Sequence, residues 1–221
     1  MDDLTTFPQI EKRADVIAVI GLHGAGKSTV VDALGAWLRS IGERVALPEN
    51  VSLLPAHRAM KEIAIRRGFG DELEMLGPEV SKLCASLLKW NELEKARDSF
   101  ETPDSFVVMD RCGYCQFAAA AQFEASNQPL IRELFEFIPV PDLTIYVDVS
   151  IDEALRRIDR RGTGSVRREF LQGLEDAYMG LPEADQFVHI DGELPPDQVF
   201  ELARQQVVAS FPRLERIEVG V

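Results

Sequence analysis

The stretch GLHGAGKST, Gly21–Thr29, packs glycines, a lysine and two hydroxyls into nine residues. It fits G-x-x-x-x-G-K-[ST] in full. The chemistry of that pattern is phosphate binding. Gly21, Gly24 and Gly26 open backbone angles closed to other residues, so successive N–H groups can turn inward around phosphate oxygens. The helix expected after the glycines adds partial positive charge at its start. Lys27 is placed to reach the β- and γ-phosphates, and the Ser28 hydroxyl to ligate Mg²⁺. Gly21, Gly24, Ala25, Gly26, Lys27, Ser28 and Thr29 form the expected cradle for ATP or GTP.

A second stretch, DRCGYC (Asp110–Cys115), reads two ways. C-x-x-C is the spacing of a thiol–disulfide centre. Asp-Arg at the end of an apolar run suits phosphoryl transfer, with Arg111 as a fork for a phosphate and Asp110 as a carboxylate for Mg²⁺-bound water. A third stretch, ALRRIDRRGTGSVRRE, carries Arg156, Arg157, Arg160, Arg161, Arg167 and Arg168 in a chain of net charge −13. Arg157, Arg161 and Arg167 flank the Gly-Thr-Gly break and are expected to meet phosphate. Arg156, Arg160 and Arg168 read equally well as a solvated face. Such a segment, about residues 156–169, would close over triphosphate and exclude water.

The elements that must position these groups follow from periodicity. Val16–Ile20, RVALP up to Pro48, Ser105–Asp110, Leu143–Val149 and Gln186–Asp191 read as strands. STVVDALGAWLRSIG reads as a helix, and another is expected from Pro195 to about Ser210. Val80, Leu83, Cys84, Leu87 and Leu88 form an apolar stripe at helical spacing. Strands alternating with helices imply a parallel sheet covered on both faces, with ligands beyond the strand ends. The 221 residues fit one domain, 1–221, and the composition is that of an ordinary globular protein. The acidic balance gives no support to nucleic-acid binding. The longest apolar run is far too short to span a bilayer, the N-terminus has no secretory pattern, and the three cysteines make no disulfide framework. A cytoplasmic location is expected. His23, His57 and His189 show no ligand spacing; His57 reads as surface and His189 as packing. Trp37 and Trp90 read as packing. No N-K-x-D element for guanine occurs, which favours ATP over GTP.

GAGKST, VVMDR, PDLTIYVDVSIDEALRRIDRRG and AYMGLPEADQFVHID together resemble the thymidylate kinase family of nucleoside monophosphate kinases, over roughly Val16–Ala209. The resemblance implies an α/β, three-layer P-loop kinase fold: a five-stranded parallel sheet flanked by helices, with an arginine-rich lid. It implies ATP and Mg²⁺ as cofactors, and Lys27, Arg111, Arg161 and Arg167 as the catalytic set. Ser28 and Asp110 would serve the metal. Arg157 would join the donor contacts, in the bacterial-type arrangement where lid arginines compensate for a cradle without one. The acceptor set would be His23, Glu49, Asn50, Lys89, Asp110 and Arg111.

That acceptor set departs from the family pattern. His23 stands for the usual Asp, and Asn50 for an Arg beside Glu49. Ala85 and Lys89 stand for a stacking Phe and a base-reading Arg, and Cys112 for a Tyr. Lysine lacks the planar fork of arginine. The expected acceptor is therefore dTMP or a related or modified pyrimidine deoxynucleotide. A deoxynucleoside kinase with Glu49 as base, or a nucleotide-binding protein with a degenerate acceptor site, are the alternatives. The thiol reading of C-x-x-C would need neither cradle nor arginines. A homodimer, as is common in that family, has no independent signal in the sequence.

Overall fold

The computed structural model describes residues 8–48, 55–162 and 166–214. The sheet has five strands, all parallel: β1 (Asp15–Ile20), β2 (Arg44–Ala46), β3 (Ser105–Asp110), β4 (Leu143–Asp148) and β5 (Val188–Asp191). Their spatial order is β2-β3-β1-β4-β5. The strands β1 and β3 are buried almost throughout, which is why both read as apolar runs without alternation. QFVHID starts too early as a strand, because Ala184–Gln186 makes a short 3₁₀ turn before β5 begins.

The helices are α1 (Lys27–Ser40), α2 (Pro55–Arg66), α3 (Glu72–Lys95), α4 (Arg97–Phe100), α5 (Gly113–Gln122), α6 (Gln128–Phe135), α7 (Ile151–Arg161), α8 (Arg168–Met179) and α9 (Pro196–Ser210). One packed group joins α1 to α9 and to the strands. A second joins α5 to α3, α6 and α8. The sheet between them supplies the core, with Val16–Ile20, Phe106–Val108 and Ile145 all fully buried. Trp37 packs on this core from α1, and Trp90 from α3.

The centre of the sheet decides where chemistry can sit. In the β1–β3 register Val19 lies opposite Asp110. Arg111 then continues the ladder, its N–H donating to the Val19 carbonyl at 3.1 Å. The glycine loop after β1 and the Asp-Arg pair after β3 therefore emerge side by side at the carboxyl edge, where parallel sheets bind ligands.

The helix α3 is oriented against expectation. Val80, Cys84 and Leu87 of the apolar stripe are exposed. Its buried positions are Ser81, Ser86, Lys89, Glu92 and Leu93. Of the apolar stripe Leu83 packs against the core and Leu88 is partly buried, while a mostly polar stripe is turned fully inward. Gly77 and Pro78 kink the helix just before this segment.

Candidate active site

The glycine loop is built as its spacing demands. Gly21, Gly24 and Gly26 have φ of 136°, 83° and 96°. A Cβ on Gly24 would stand 2.6 Å from the Ala154 carbonyl oxygen of α7, and one on Gly21 2.6 Å from that of Val147. Both glycines serve positive φ and close approach together. Gly26 is the N-cap of α1, with no side-chain cap and no acidic residue in the first turn. The helix start is thus left electropositive for an anion.

Lys27 is buried, and its Nζ donates to the Leu22 carbonyl at 2.6 Å. Burial, followed by the charge of Arg111, lowers its pKa to about 7. Arg111 holds φ of 73°, a left-handed conformation costly for a side-chain-bearing residue. Among the described residues neither Lys27 nor Arg111 is held in an ion pair. Of these two neighbouring cations Lys27 opens α1 after the glycine loop, and Arg111 directly follows β3.

The Ser28 Oγ donates to Asp110 Oδ2 at 2.6 Å. Asp110 is buried, and its other oxygen, Oδ1, has no hydrogen-bond partner among the described residues. A hydroxyl beside an orphaned carboxylate oxygen suits an oxygen-seeking cation with its water shell, so the residues fit Mg²⁺.

Beside the loop a recess of ≈ 280 Å³ is lined by Gly26, Thr29, Arg157, Arg161, Gly192 and Phe200, among others. Arg157 is half-buried over the loop. It pairs with Glu153 and donates to the carbonyls of Ala25 at 3.3 Å and Gly192 at 2.8 Å. Arg161 lies close enough to Lys27 to lower its pKa. Arg156 and Arg160, read equally as solvated face, also line the recess. Arg168 instead pairs with Asp152, and Arg167, the exposed N-cap of α8, is not among the lining residues. The Gly-Thr-Gly break at 163–165 lies outside the described residues, as do Glu49 and Asn50.

His23, in the same loop, makes an edge contact with Phe170 of α8, ring centroids 5.7 Å apart. Solvent reaches its side chain, yet the surrounding protein and the charges of Arg111, Lys27 and Lys82 hold its pKa well below the ordinary imidazole range. Lys89 is fully buried, and its Nζ donates to the Asp110 carbonyl at 3.2 Å. It braces the strand end from behind.

The residue expected beside the acceptor, Cys112, is the N-cap of α5 and is buried. The thiol next to Arg111 is that of Cys115, one turn on, with the Tyr178 hydroxyl packed against it. His189, expected to be packed, is exposed; it lies against Tyr146 and meets Asp148 at 3.0 Å. Lys82, Phe123 and Phe170 were not anticipated. Lys82 stands 4.3 Å above the Phe123 ring, and Phe123 lies 6.2 Å from Phe170. The signal was present as Lys82, Ser86 and Lys89, a polar stripe at i, i+4, i+7 on α3.

With the geometry in hand, comparison with known proteins adds the family. The chain is 30% identical to a probable thymidylate kinase of Archaeoglobus fulgidus over 207 residues, 91% of this chain and 98% of that one. It is 28% identical to a thymidylate kinase of Bradyrhizobium over 203 residues, 85% of this chain and 86% of that one. A probable thymidylate kinase of Pyrobaculum aerophilum is 27% identical over 187 residues, 83% of this chain and 91% of that one. The family profile described as thymidylate kinase matches residues 19–203, and the chain belongs to the thymidylate kinase family.

Proposed function

We propose that the protein transfers the γ-phosphoryl group of ATP to a pyrimidine deoxynucleoside monophosphate, dTMP first among them. The observation that carries this reading is the pairing of Lys27 with Arg111. These two neighbouring cations are without an ion-pair partner among the described residues, and in this reading they would stand on either side of the transferred phosphoryl. Transfer between two anions needs positioning and charge neutralisation above all.

In this reading Lys27 exchanges the Leu22 carbonyl for β- and γ-phosphate oxygens, and the free N–H groups of the loop and of α1 hold the rest. Arg157 and Arg161 flank the donor, with Arg167 at the start of α8 reaching it from the other arm. Arg111 grips the acceptor phosphate and sets its oxygen in line with the γ-phosphorus. Mg²⁺, held by Ser28 and through water by Asp110, would supply neutralisation of the β- and γ-oxygens. His23, Lys82, Phe123 and Phe170 form the wall against which the nucleoside lies, with Glu49, Asn50 and the brace Lys89 completing the acceptor set.

The test is acceptor-dependent ADP release over a panel of dTMP, dUMP, 5-substituted deoxyuridylates, purine monophosphates and unphosphorylated deoxynucleosides. The reading expects the fastest turnover with a pyrimidine monophosphate. Faster turnover with an unphosphorylated nucleoside, or none above the water background, would overturn it.

The exposed Val80, Cys84 and Leu87 face of α3 offers a surface for a second copy, so we read the active form as a homodimer; sedimentation would test this. No helix among the described residues is long and apolar enough to cross a membrane. Free thiols at Cys84, Cys112 and Cys115 suit the reducing conditions of a cytoplasmic location.

A further inference from the structure

The C-x-x-C element is left unused by phosphoryl transfer, yet it is buried directly behind Arg111. Cys112 is the N-cap of α5 and Cys115 lies in its first turn. The Cys115 N–H donates to the Cys112 carbonyl at 3.1 Å. A turn closed between residues i and i+3 keeps its end Cα atoms within about 7 Å, and a disulfide usually spans about 4.4–6.8 Å between Cα atoms. The two thiols lie within one helical turn and influence each other's charge. The first turn of α5 contains no acidic residue and has no side-chain cap, so its positive end is unneutralised. Arg111 adjoins Cys115, and Lys89 lies close to both thiols. Burial pushes the Cys115 thiol up, but contact with Cys112 and the charge of Arg111 more than offset this and bring it to about 5. Helix starts and neighbouring cations are the surroundings that make a thiol reactive.

Both sulfurs are buried, which excludes bulky oxidants. A small one can be held beside the pair, one helical turn from Cys115. Cys112 lines an apolar recess of ≈ 50 Å³ with Met109, Tyr114, Phe117, Phe135 and Pro141. A water needs roughly 10–15 Å³ on that measure, so hydrogen peroxide fits.

We propose that Cys112 and Cys115 are a peroxide-sensitive thiol pair whose reversible disulfide weakens acceptor binding at Arg111. The Cys115 thiolate attacks one peroxide oxygen, giving a sulfenic acid and hydroxide. The Cys112 sulfur then attacks the Cys115 sulfur, forming the S–S bond; its proton and the sulfenic hydroxyl leave as water. In all, two thiols and one peroxide become one disulfide and two waters. The sulfurs close to about 2.05 Å. That draws Cys115 away from Arg111 and pulls on Cys112, the residue that follows Arg111 in the chain. Arg111 holds a left-handed backbone conformation between strand and helix, next in the chain to Cys112, and its side chain adjoins Cys115, so both ends of the disulfide act on it. A displacement near 1 Å at a positioning group is enough for large losses, on the order of 100-fold.

The link to the acceptor rests on the proposed function; the disulfide does not. The experiment therefore reads both, in a Cys84→Ser background that removes the exposed third thiol. After hydrogen peroxide treatment, denaturation and alkylation with N-ethylmaleimide, intact mass should show no added label and a loss of about 2 Da, the two thiol hydrogens. Dithiothreitol should restore two alkylatable thiols. Cys115→Ser in the same background should show no such loss. Thiols that stay alkylatable, or gain oxygen without the hydrogen loss, overturn the pair as a disulfide site, whatever the kinase assay gives. In the dTMP kinase assay the oxidised protein should lose at least roughly tenfold in kcat/KM for the acceptor, with the KM for ATP within about twofold. A disulfide that leaves the acceptor parameters unchanged overturns the coupling to Arg111.

Discussion

Ser28 and Asp110 are joined by a hydrogen bond of 2.6 Å that ties the first turn of α1 to the end of β3. The bond spans the seam between the glycine loop and Arg111. It is short because a hydroxyl donates to a carboxylate, and it leaves Oδ1 of the same carboxylate with no partner among the described residues.

Ser28→Ala should therefore lower kcat and, by removing the donor to a buried carboxylate, also lower stability. Hydrogen bonds to charged groups are worth about 1.5–3 kcal/mol, which corresponds to roughly 10- to 150-fold in rate. Raising Mg²⁺ should recover part of the loss. A variant within twofold of the parent at every Mg²⁺ concentration would remove Ser28 and Asp110 from the metal site.

Gly24 is where the cradle touches α7. Its φ of 83° and the 2.6 Å approach of a Cβ to the Ala154 carbonyl oxygen act against any side chain. Gly24→Ala should cost at least about 1–2 kcal/mol in stability from the left-handed backbone alone. Relief of the clash must shift the loop, because the obstacle is backbone. Weakened ATP binding should accompany the lower midpoint in a urea titration. Unchanged ATP affinity would mean that the loop's position does not depend on α7.

The contrast between these two sites and the rest shows what a sequence can carry. The cradle was legible because backbone conformation, helix start and lysine are all specified within nine residues. The buried strands β1, β3 and β4 were legible because parallel strands covered on both faces are apolar throughout. The inward face of α3 was misread for a physical reason. Periodicity reports where apolar residues lie, and α3 turns Ser86 and Lys89 toward the charged end of the sheet while Val80 and Leu87 face out. The pairing of Cys115 rather than Cys112 with Arg111 depends on the strained turn at Arg111, which leaves no mark in composition.

His23 should stay neutral in the free protein to well below pH 6.5. The surrounding protein and three nearby cations, Arg111, Lys27 and Lys82, all act against a further positive charge. The unfolded chain takes up a proton near pH 6.5, and the folded one only at lower pH. Between those values the unfolded state binds more protons, so stability falls as pH drops through this window. His23→Asn should flatten that fall. Proton NMR of the imidazole gives the direct check, and a midpoint at or above 6.5 would overturn the assigned surroundings.

Lys89 separates two roles for the acceptor wall. It is fully buried and donates to the Asp110 carbonyl at 3.2 Å, so it braces the Asp-Arg pair from behind. A base-reading lysine would instead act mainly on the affinity for the acceptor. Lys89→Met keeps most of the volume and removes the charge. Losing a buried donor leaves the Asp110 carbonyl short of a partner, which costs about 1–3 kcal/mol. If Lys89 is a brace, the loss should fall on stability and on kcat, with the ranking of pyrimidine acceptors preserved. If it reads the base, stability should hold while discrimination between dTMP and other monophosphates collapses. The bond to Asp110 predicts the first outcome, measured as kcat and KM over the acceptor panel beside a urea midpoint.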